Sequence, residues 1–450
     1  MTVSIFRPLL IALCALALTV TSSFARGLPL IRDAEIEALV KDYAAPLMKA
    51  AGLKRGSVQF FIVNDNSFNA FVNGRSMFIN TGLLLQAETP QEVIGVVAHE
   101  IGHIVGGHQV RLSQRLEQAK SIARWTTLLG LGLGAAGAAS GSRDVASAGF
   151  GVAGGGSIIA MRDLLSYQRD EEASADRAAV TLLNKTKQSG KGMLTTFRRL
   201  ADQAILAGTN RADPYLLSHP MPADRIRALS STLKSSKYYN AKPNATLQER
   251  HDLARAKIAA YLGGTRYAQA VLGSNKLSPQ ARLYGRAIVS YLYGSPKKAL
   301  PLIEKASKRQ PKNAYLHEMR GEILLRTGKP AAAAKAFARA VKLDRYGAGF
   351  LRVELGHALL EMGGKKNAKA AIVELNKGLR RDPTAIAGYQ YLARAYGEAG
   401  DVGHALLASA QLSFRMGKRA QAKDYARRAQ QKLKRGSPGW IRAQDIISLK

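Results

Sequence analysis

The chain has 450 residues, too many for one hydrophobic core, so two or more domains are expected. Its hydrophobic fraction of 46% is that of an ordinary globular protein. The charge is not ordinary: 66 Lys and Arg against 32 Asp and Glu give +34, a balance that suits nucleic acid, an anionic membrane face or acidic protein clients.

The N-terminus chooses among these. Arg7 is the only early charge, Leu9 to Val20 is an apolar run, and Ser23-Phe24-Ala25 places small residues at −3 and −1 of a cleavage site after Ala25. That is the plan of a secretory signal peptide, and the run is shorter than the about 20 apolar residues of a membrane anchor. The single cysteine, Cys14, follows Leu13, which is too large for a lipoprotein site, so the mature chain has neither cysteine nor disulfide. Export without cysteine fits a Gram-negative-type periplasm and argues against nucleic acid as partner.

Residues 28–52 predict an amphipathic helix ending at Gly52, and residues 57–63 a strand. Asn69 to Val72 and Arg75 to Ile79 flank Asn73-Gly74, a dipeptide suited to a tight hairpin turn. An edge strand near Phe60 or Phe78 could then pair with an extended peptide through its main chain. Thr89-Pro90-Gln91-Glu92 is a capping box with proline at the first helical position.

The helix so started reads VVAHEIGHIVGGH over residues 96–108. His99 and His103 are four apart, a little over one turn, and project from one face; Glu100 is rotated about 100° from His99. This H-E-x-x-H pattern suits zinc held by two imidazoles, with the glutamate acting on a water that the metal acidifies. A structural zinc site would prefer cysteine, and the mature chain has none. An extended three-histidine pattern needs a histidine at Gln109, so His108 is expected to be a surface or supporting residue. Glu172 and Asp176 share a face of a later helix. Glu172 is read as the third ligand and Asp176 as the group orienting a ligand histidine, with Glu171 as the alternative ligand. His219, in the polar loop His219-Pro220, has three readings: a hydrogen-bonding surface residue, a donor to the oxyanion of the reaction, or an occupant of the metal's open position.

Between these motifs, residues 125–161 are apolar and glycine-rich, split by Arg143-Asp144, with each half too short to cross a bilayer. The segment reads as a buried or mobile insertion beside the site, or as a hairpin that covers the cleft or touches membrane. A linker is expected near residues 231–248.

From about residue 250 small and bulky residues recur at the spacing of a 34-residue helical repeat. Ala287, Ala299, Ile303, Ala306 and Pro311 fit one unit; Gly321, Ala333, Phe337 and Ala340 the next. Gly356 starts a third unit, and Ala371, Leu375, Gly378 and Pro383 close it after three extra residues. Ala393 and Ala405 begin a fourth, and Ala410, Ala422, Ala426 and Ala429 follow so closely that helices are shared. Residues 281–450 hold 34 Lys and Arg against 12 Asp and Glu, mostly between the apolar positions, so they read as a solvated outer face.

Several pieces now fall into one pattern: Asn69-Ala70-Phe71, Thr81-Gly82-Leu83, His99 to His103, Tyr167-Gln168-Arg169 leading to Glu172 and Asp176, and His219-Pro220 followed by Arg225-Ile226. Over most of residues 28–230 the chain resembles the zinc endopeptidase family that includes HtpX and the CAAX prenyl proteases. The resemblance implies that the glutamate four residues before the aspartate, Glu172, is the zinc ligand. The order of signal peptide, protease domain and tetratricopeptide repeats is similar to that of BepA-type periplasmic proteases, which implies a role in outer-membrane protein assembly and quality control. Unlike HtpX, the chain lacks clear multiple membrane spans.

The expected fold is mainly α: a helical zincin-type protease domain with a small β-sheet, then an all-α tetratricopeptide-repeat solenoid. The expected plan is a signal peptide over 1–25, the protease domain over 26–235 with the insertion at 125–161, a linker over 236–249 and repeats over 250–450. The expected function is that of a periplasmic metalloendopeptidase with one zinc ion, acting on unfolded or misassembled envelope proteins. The repeats would engage those clients or the outer-membrane assembly machinery, and 125–161 a membrane surface. The competing readings are a chaperone or adaptor whose protease activity is latched, and a membrane-surface scaffold.

Overall fold

The computed structural model describes residues 28–139, 143–207, 219 and 223–449. The expected signal peptide lies outside the described residues. Leu30–Ile31 (β1) and Gln59–Val63 (β2) pair antiparallel, joining Leu30 to Val63 and Ile31 to Ile62. The first helix, Ala34–Ala50 (α1), therefore starts later than the pattern from residue 28 suggested. Asp33 caps it, accepting from the Ile36 N–H at 2.9 Å.

Ala70–Asn73 (β3) and Ser76–Asn80 (β4) complete a sheet of order β1-β2-β4-β3. The hairpin forms one residue later than expected. Asn73 pairs with Ser76, so Gly74 and Arg75 make the turn, with Gly74 first at φ 58°. Glycine takes that left-handed first position at no steric cost. The expectation of an edge strand at Phe78 is corrected: β4 lies between β2 and β3, and Phe78 pairs with Phe61 on one side and Phe71 on the other. Phe60 also pairs, with Met77. The outer position on that side of the sheet falls to β3.

Thr81–Gln86 (α2) leads to the motif helix, Pro90–Gly106 (α3). Its capping box forms, with Glu92 Oε1 accepting from the Thr89 N–H at 3.1 Å. His108–Ala139 (α4) and Arg143–Lys185 (α5) run antiparallel, as Arg111 with Glu171 and Arg115 with Asp163 attest. The described residues of the 125–161 segment are thus the far ends of these two antiparallel helices. No described helix is long and apolar enough to cross a membrane. Lys191–Ala207 (α6) and Ala223–Lys234 (α7) follow.

Ala245–Leu262 (α8) belongs to two cores at once. Ala254 and Ile258 pack with the α1, sheet and α3 residues, while Leu253, Ala256 and Ala260 pack with the repeats. Beyond it, helices pair in sequence: 279–293 with 296–309, 314–326 with 330–343, 349–361 with 365–381, and 386–399 with 402–415. The small and bulky positions interlock: Phe337 is fully buried and leaves no room for a side chain at Gly321. The three extra residues of the third unit lengthen its second helix to 17 residues, against 14 in the unit before. Ala410 on the helix 402–415 and Ala422, Ala426 and Ala429 on the next, 419–432, pack in one cluster.

The solenoid returns to α1. Tyr284 donates to Glu35 at 3.0 Å, Arg32 pairs with Asp382 at 2.9 Å, and Tyr346, Arg345 and Arg250 converge on Asp42.

Candidate metal centre

The motif helix α3 presents His99, Glu100 and His103, all buried. The two imidazoles turn toward each other, Nε2 to Nε2 at 3.0 Å. Glu100 is 0% exposed, and neither of its carboxylate oxygens has a hydrogen-bond partner. Helix α5 brings the carboxylates because Gly102 lets the two helices touch: a Cβ there would lie 2.8 Å from the Ala175 carbonyl oxygen. Across that contact Glu172 reaches both histidines, Oε2 at 3.3 Å from His99 Nε2 and Oε1 at 3.3 Å from His103 Nε2. Asp176 Oδ1 lies 3.0 Å from His99 Nδ1.

His219 joins them and is not a surface residue. It is buried, with Nδ1 2.9 Å from Glu172 Oε1 and 3.4 Å from His99 Nε2, and Nε2 3.5 Å from Glu100 Oε1. One ligand atom from each of His99, His103, Glu172 and His219 lies within 4.8 Å of the others.

The reading of Glu171 as alternative ligand is corrected. On the neighbouring face of α5 it turns away from the cluster and takes two bonds from Arg111 Nη2, each at 3.0 Å. His108 is buried too, with Nδ1 2.8 Å from His103 Nδ1, so of its two readings it takes the supporting one.

Arg225, which the sequence offered only as a motif neighbour, carries the balancing charge. Its Nη1 lies 2.7 Å from Glu172 Oε2 and its Nε 2.5 Å from Asp176 Oδ2, with the guanidinium over the Phe197 ring at 5.4 Å. The signal that could have found it is physical: two buried carboxylates four residues apart need a cation.

The electrostatics follow. Burial pulls the His99 imidazole down, but Asp176 and Glu172 outweigh it and push it up to about 9. Burial takes His103 down to about 3 against the pull of Glu172, so its imidazole is neutral. Burial also raises Glu100 above the usual carboxylate range, opposed by His219 and His99. For Glu172 burial acts upward, yet His219, His103 and His99 hold it well below that range. Asp176 is held low in the same way, by Arg225 and His99 against burial.

The donor set fits zinc. Imidazole nitrogens of His99, His103 and His219 and one carboxylate of Glu172 converge in a buried site, the nitrogen and oxygen donors that zinc takes. Glu100 lies beside the set with its oxygens unsatisfied, as a base held off the metal would be.

A helix-borne H-E-x-x-H face joined to a glutamate of a second helix defines a metalloprotease. Residues 31–233 match Peptidase family M48, a family of zinc metalloproteases. The chain is 30% identical over 299 residues to a protein of Vibrio cholerae serotype O1 provisionally named a beta-barrel assembly-enhancing protease, covering 64% of this chain and 58% of that one. The beta-barrel assembly-enhancing protease of Yersinia pestis is 26% identical and that of Escherichia coli K12 24%, each match covering 91% of this chain and 82% of the relative. Among solved structures, YrrB, a tetratricopeptide-repeat protein with an unusual peptide-binding site, aligns with 39% of this chain and 91% of its own at 19% identity and a TM-score of 0.32.

Proposed function

We propose that the chain is a periplasmic zinc metalloendopeptidase that cleaves misfolded or misassembled envelope proteins, with its repeats engaging clients or the outer-membrane assembly machinery. The observation that carries this reading is Glu100, buried with no hydrogen-bond partner beside four converging ligand atoms. His99, His103 and Glu172 hold the metal, and Asp176 orients His99 through Nδ1. When bound, zinc supplies Lewis acidity that polarises the scissile carbonyl and acidifies water. Glu100 takes the proton of the attacking water and returns it to the leaving amine, a role its raised pKa suits. Arg225 neutralises Glu172 and Asp176, so that the carboxylates stay ionised in a buried site.

His219 acts in this reading as a latch. Its Nδ1 faces Glu172 and its Nε2 faces Glu100, which supports a resting state in which it fills the open position. An extended client that displaced it would free the site; the competing reading makes the ring a donor to the oxyanion.

The proposed plan is a signal peptide over 1–25, a protease domain over 26–235, a linker over 236–249 and repeats over 250–450. Client capture has a place in it. A cavity of about 1000 Å³ between the first strand and the repeats is lined by Tyr261, Tyr291, Tyr391 and Phe350 together with both acidic (Glu354, Glu361) and basic (Arg32, Arg326) side chains, a mixed surface with room for an extended segment. The names of the relatives, which speak of beta-barrel assembly, support envelope clients. On the hairpin, Trp125, Leu128 and Leu129 are each more than 60% exposed, which favours peripheral membrane contact.

The test is zinc content and casein cleavage of the mature chain. Glu100→Gln should keep the zinc and lose roughly 10²- to 10⁴-fold in turnover. His219→Ala should raise basal cleavage if the ring is a latch and lower it if the ring is an oxyanion donor. Full rescue of a deletion strain by Glu100→Gln would favour the adaptor reading.

A further inference from the structure

We infer that His108 and Glu171 are positioning residues of the metal centre, a relay that holds the His103 ring in the tautomer and orientation a metal ligand needs. The inference rests on the reading of His103 as a ligand.

His99 has a carboxylate, Asp176, at its Nδ1, while His103 has a second imidazole there, His108 Nδ1 at 2.8 Å. Behind it, His108 Nε2 lies 2.7 Å from Glu171 Oε2, a close contact without hydrogen-bond geometry. Arg111 fixes Glu171 with bonds of 3.0 and 3.2 Å and also donates to the Tyr167 hydroxyl at 3.1 Å. The partners assign the protons. The negative Glu171 carboxylate beside Nε2 favours the His108 tautomer with its proton on that nitrogen, which leaves a lone pair at Nδ1. That lone pair accepts from His103 Nδ1–H. The lone pair of His103 is then on Nε2, the atom that faces His99 Nε2 and Glu172.

Two backbone features make room for the relay. On a continuous helix His108 would point about 140° away from His103. Gly107, at φ 68°, ends α3 between them and lets the ring fold back. Gly106 leaves the space it enters, since a Cβ there would lie 2.1 Å from His108 Nε2 and 2.4 Å from Cδ2. The relay also ties the site to the hairpin, because His108 and Arg111 start α4 while Tyr167 and Glu171 are on α5.

The test is zinc affinity of the mature chain, by competition with a chelator, beside the melting temperature of the metal-free protein. His108→Leu keeps the bulk and removes the acceptor; affinity should fall roughly 10- to 100-fold. His108→Gln presents a carbonyl that accepts from His103 Nδ1–H and should recover most of the loss. Gly106→Ala, which evicts the ring, should match His108→Leu. Affinity in His108→Leu within about twofold of wild type, or equal loss in His108→Leu and His108→Gln, overturns the relay while leaving the site reading intact. Failure of the wild-type chain to bind zinc overturns both. If His108→Leu does not fold, Glu171→Ala, at a side chain 14% exposed, reads the same arm: weakened zinc binding supports it and unchanged binding overturns it.

Discussion

The metal centre and the repeats solve opposite problems. At the centre, buried polar and charged groups from α3, α5, α7 and His219 meet at one point, held by partners up to 120 residues apart in sequence. In the repeats, small side chains meet their neighbours across one turn of chain, and most charge faces outward. A set of long-range charges is worth little until it is complete, because each member alone is a costly buried ion. A stack of local pairs gains stability one interface at a time. The difference predicts where single substitutions are felt and what zinc can repair.

The largest effect should come from Arg225→Met, which strands Glu172 and Asp176. The metal-free protein should lose about 3–5 kcal/mol, and saturating zinc should restore part of that by replacing the lost cation. Thermal unfolding with and without zinc measures it; equal losses in both states would break the proposed link between charge and metal. Phe337→Ala, in the second repeat, should cost about 3–4 kcal/mol through its cavity and be indifferent to zinc. A zinc-dependent loss there would erase the contrast between the two regions.

His251, in the helix shared by both cores, sharpens the comparison by pH. Its Nε2–H donates to the Ala87 carbonyl (2.9 Å), its Nδ1 accepts from the Tyr43 hydroxyl (2.8 Å), and burial takes it down to about 3. The unfolded chain takes up a proton below about pH 6.5 that the folded chain refuses. Stability should therefore fall with falling pH between about 6.5 and 3, by about 1.4 kcal/mol per unit at most from this group. His251→Gln should flatten that slope in urea titrations across the range. The smallest effect is expected at the domain junction, where Arg32 is 46% exposed and pairs with Asp382. Arg32→Ala should cost below about 1 kcal/mol, and added salt should shrink the difference further.

Much of this was legible before the fold. The capping box, the paired histidines and the glutamate with its aspartate are local patterns on helices, and helical geometry fixes which of their residues share a face. The repeats were legible for the same reason, since Gly321 and Phe337 sit at a fixed offset and meet as that offset requires. Three features were not. Arg225 pairs with residues some 50 positions away, and no periodicity points to a partner at that range. His108 returns to His103 only because Gly107 breaks the helix, so its place depends on one backbone angle. The sheet order puts Phe78 inside rather than at an edge, a matter of which strands pair and not of what each strand prefers.

The sequence by itself determined the elements, the zinc-binding face and the repeat period, because these follow from short-range geometry along the chain. Tertiary structure alone decided that Arg225 balances the cluster, that His219 joins it, that His108 folds back onto His103, and that α8 serves two cores. Neighbouring residues on a helix differ by about 100° in direction, and which direction is inward is set by the packing partner.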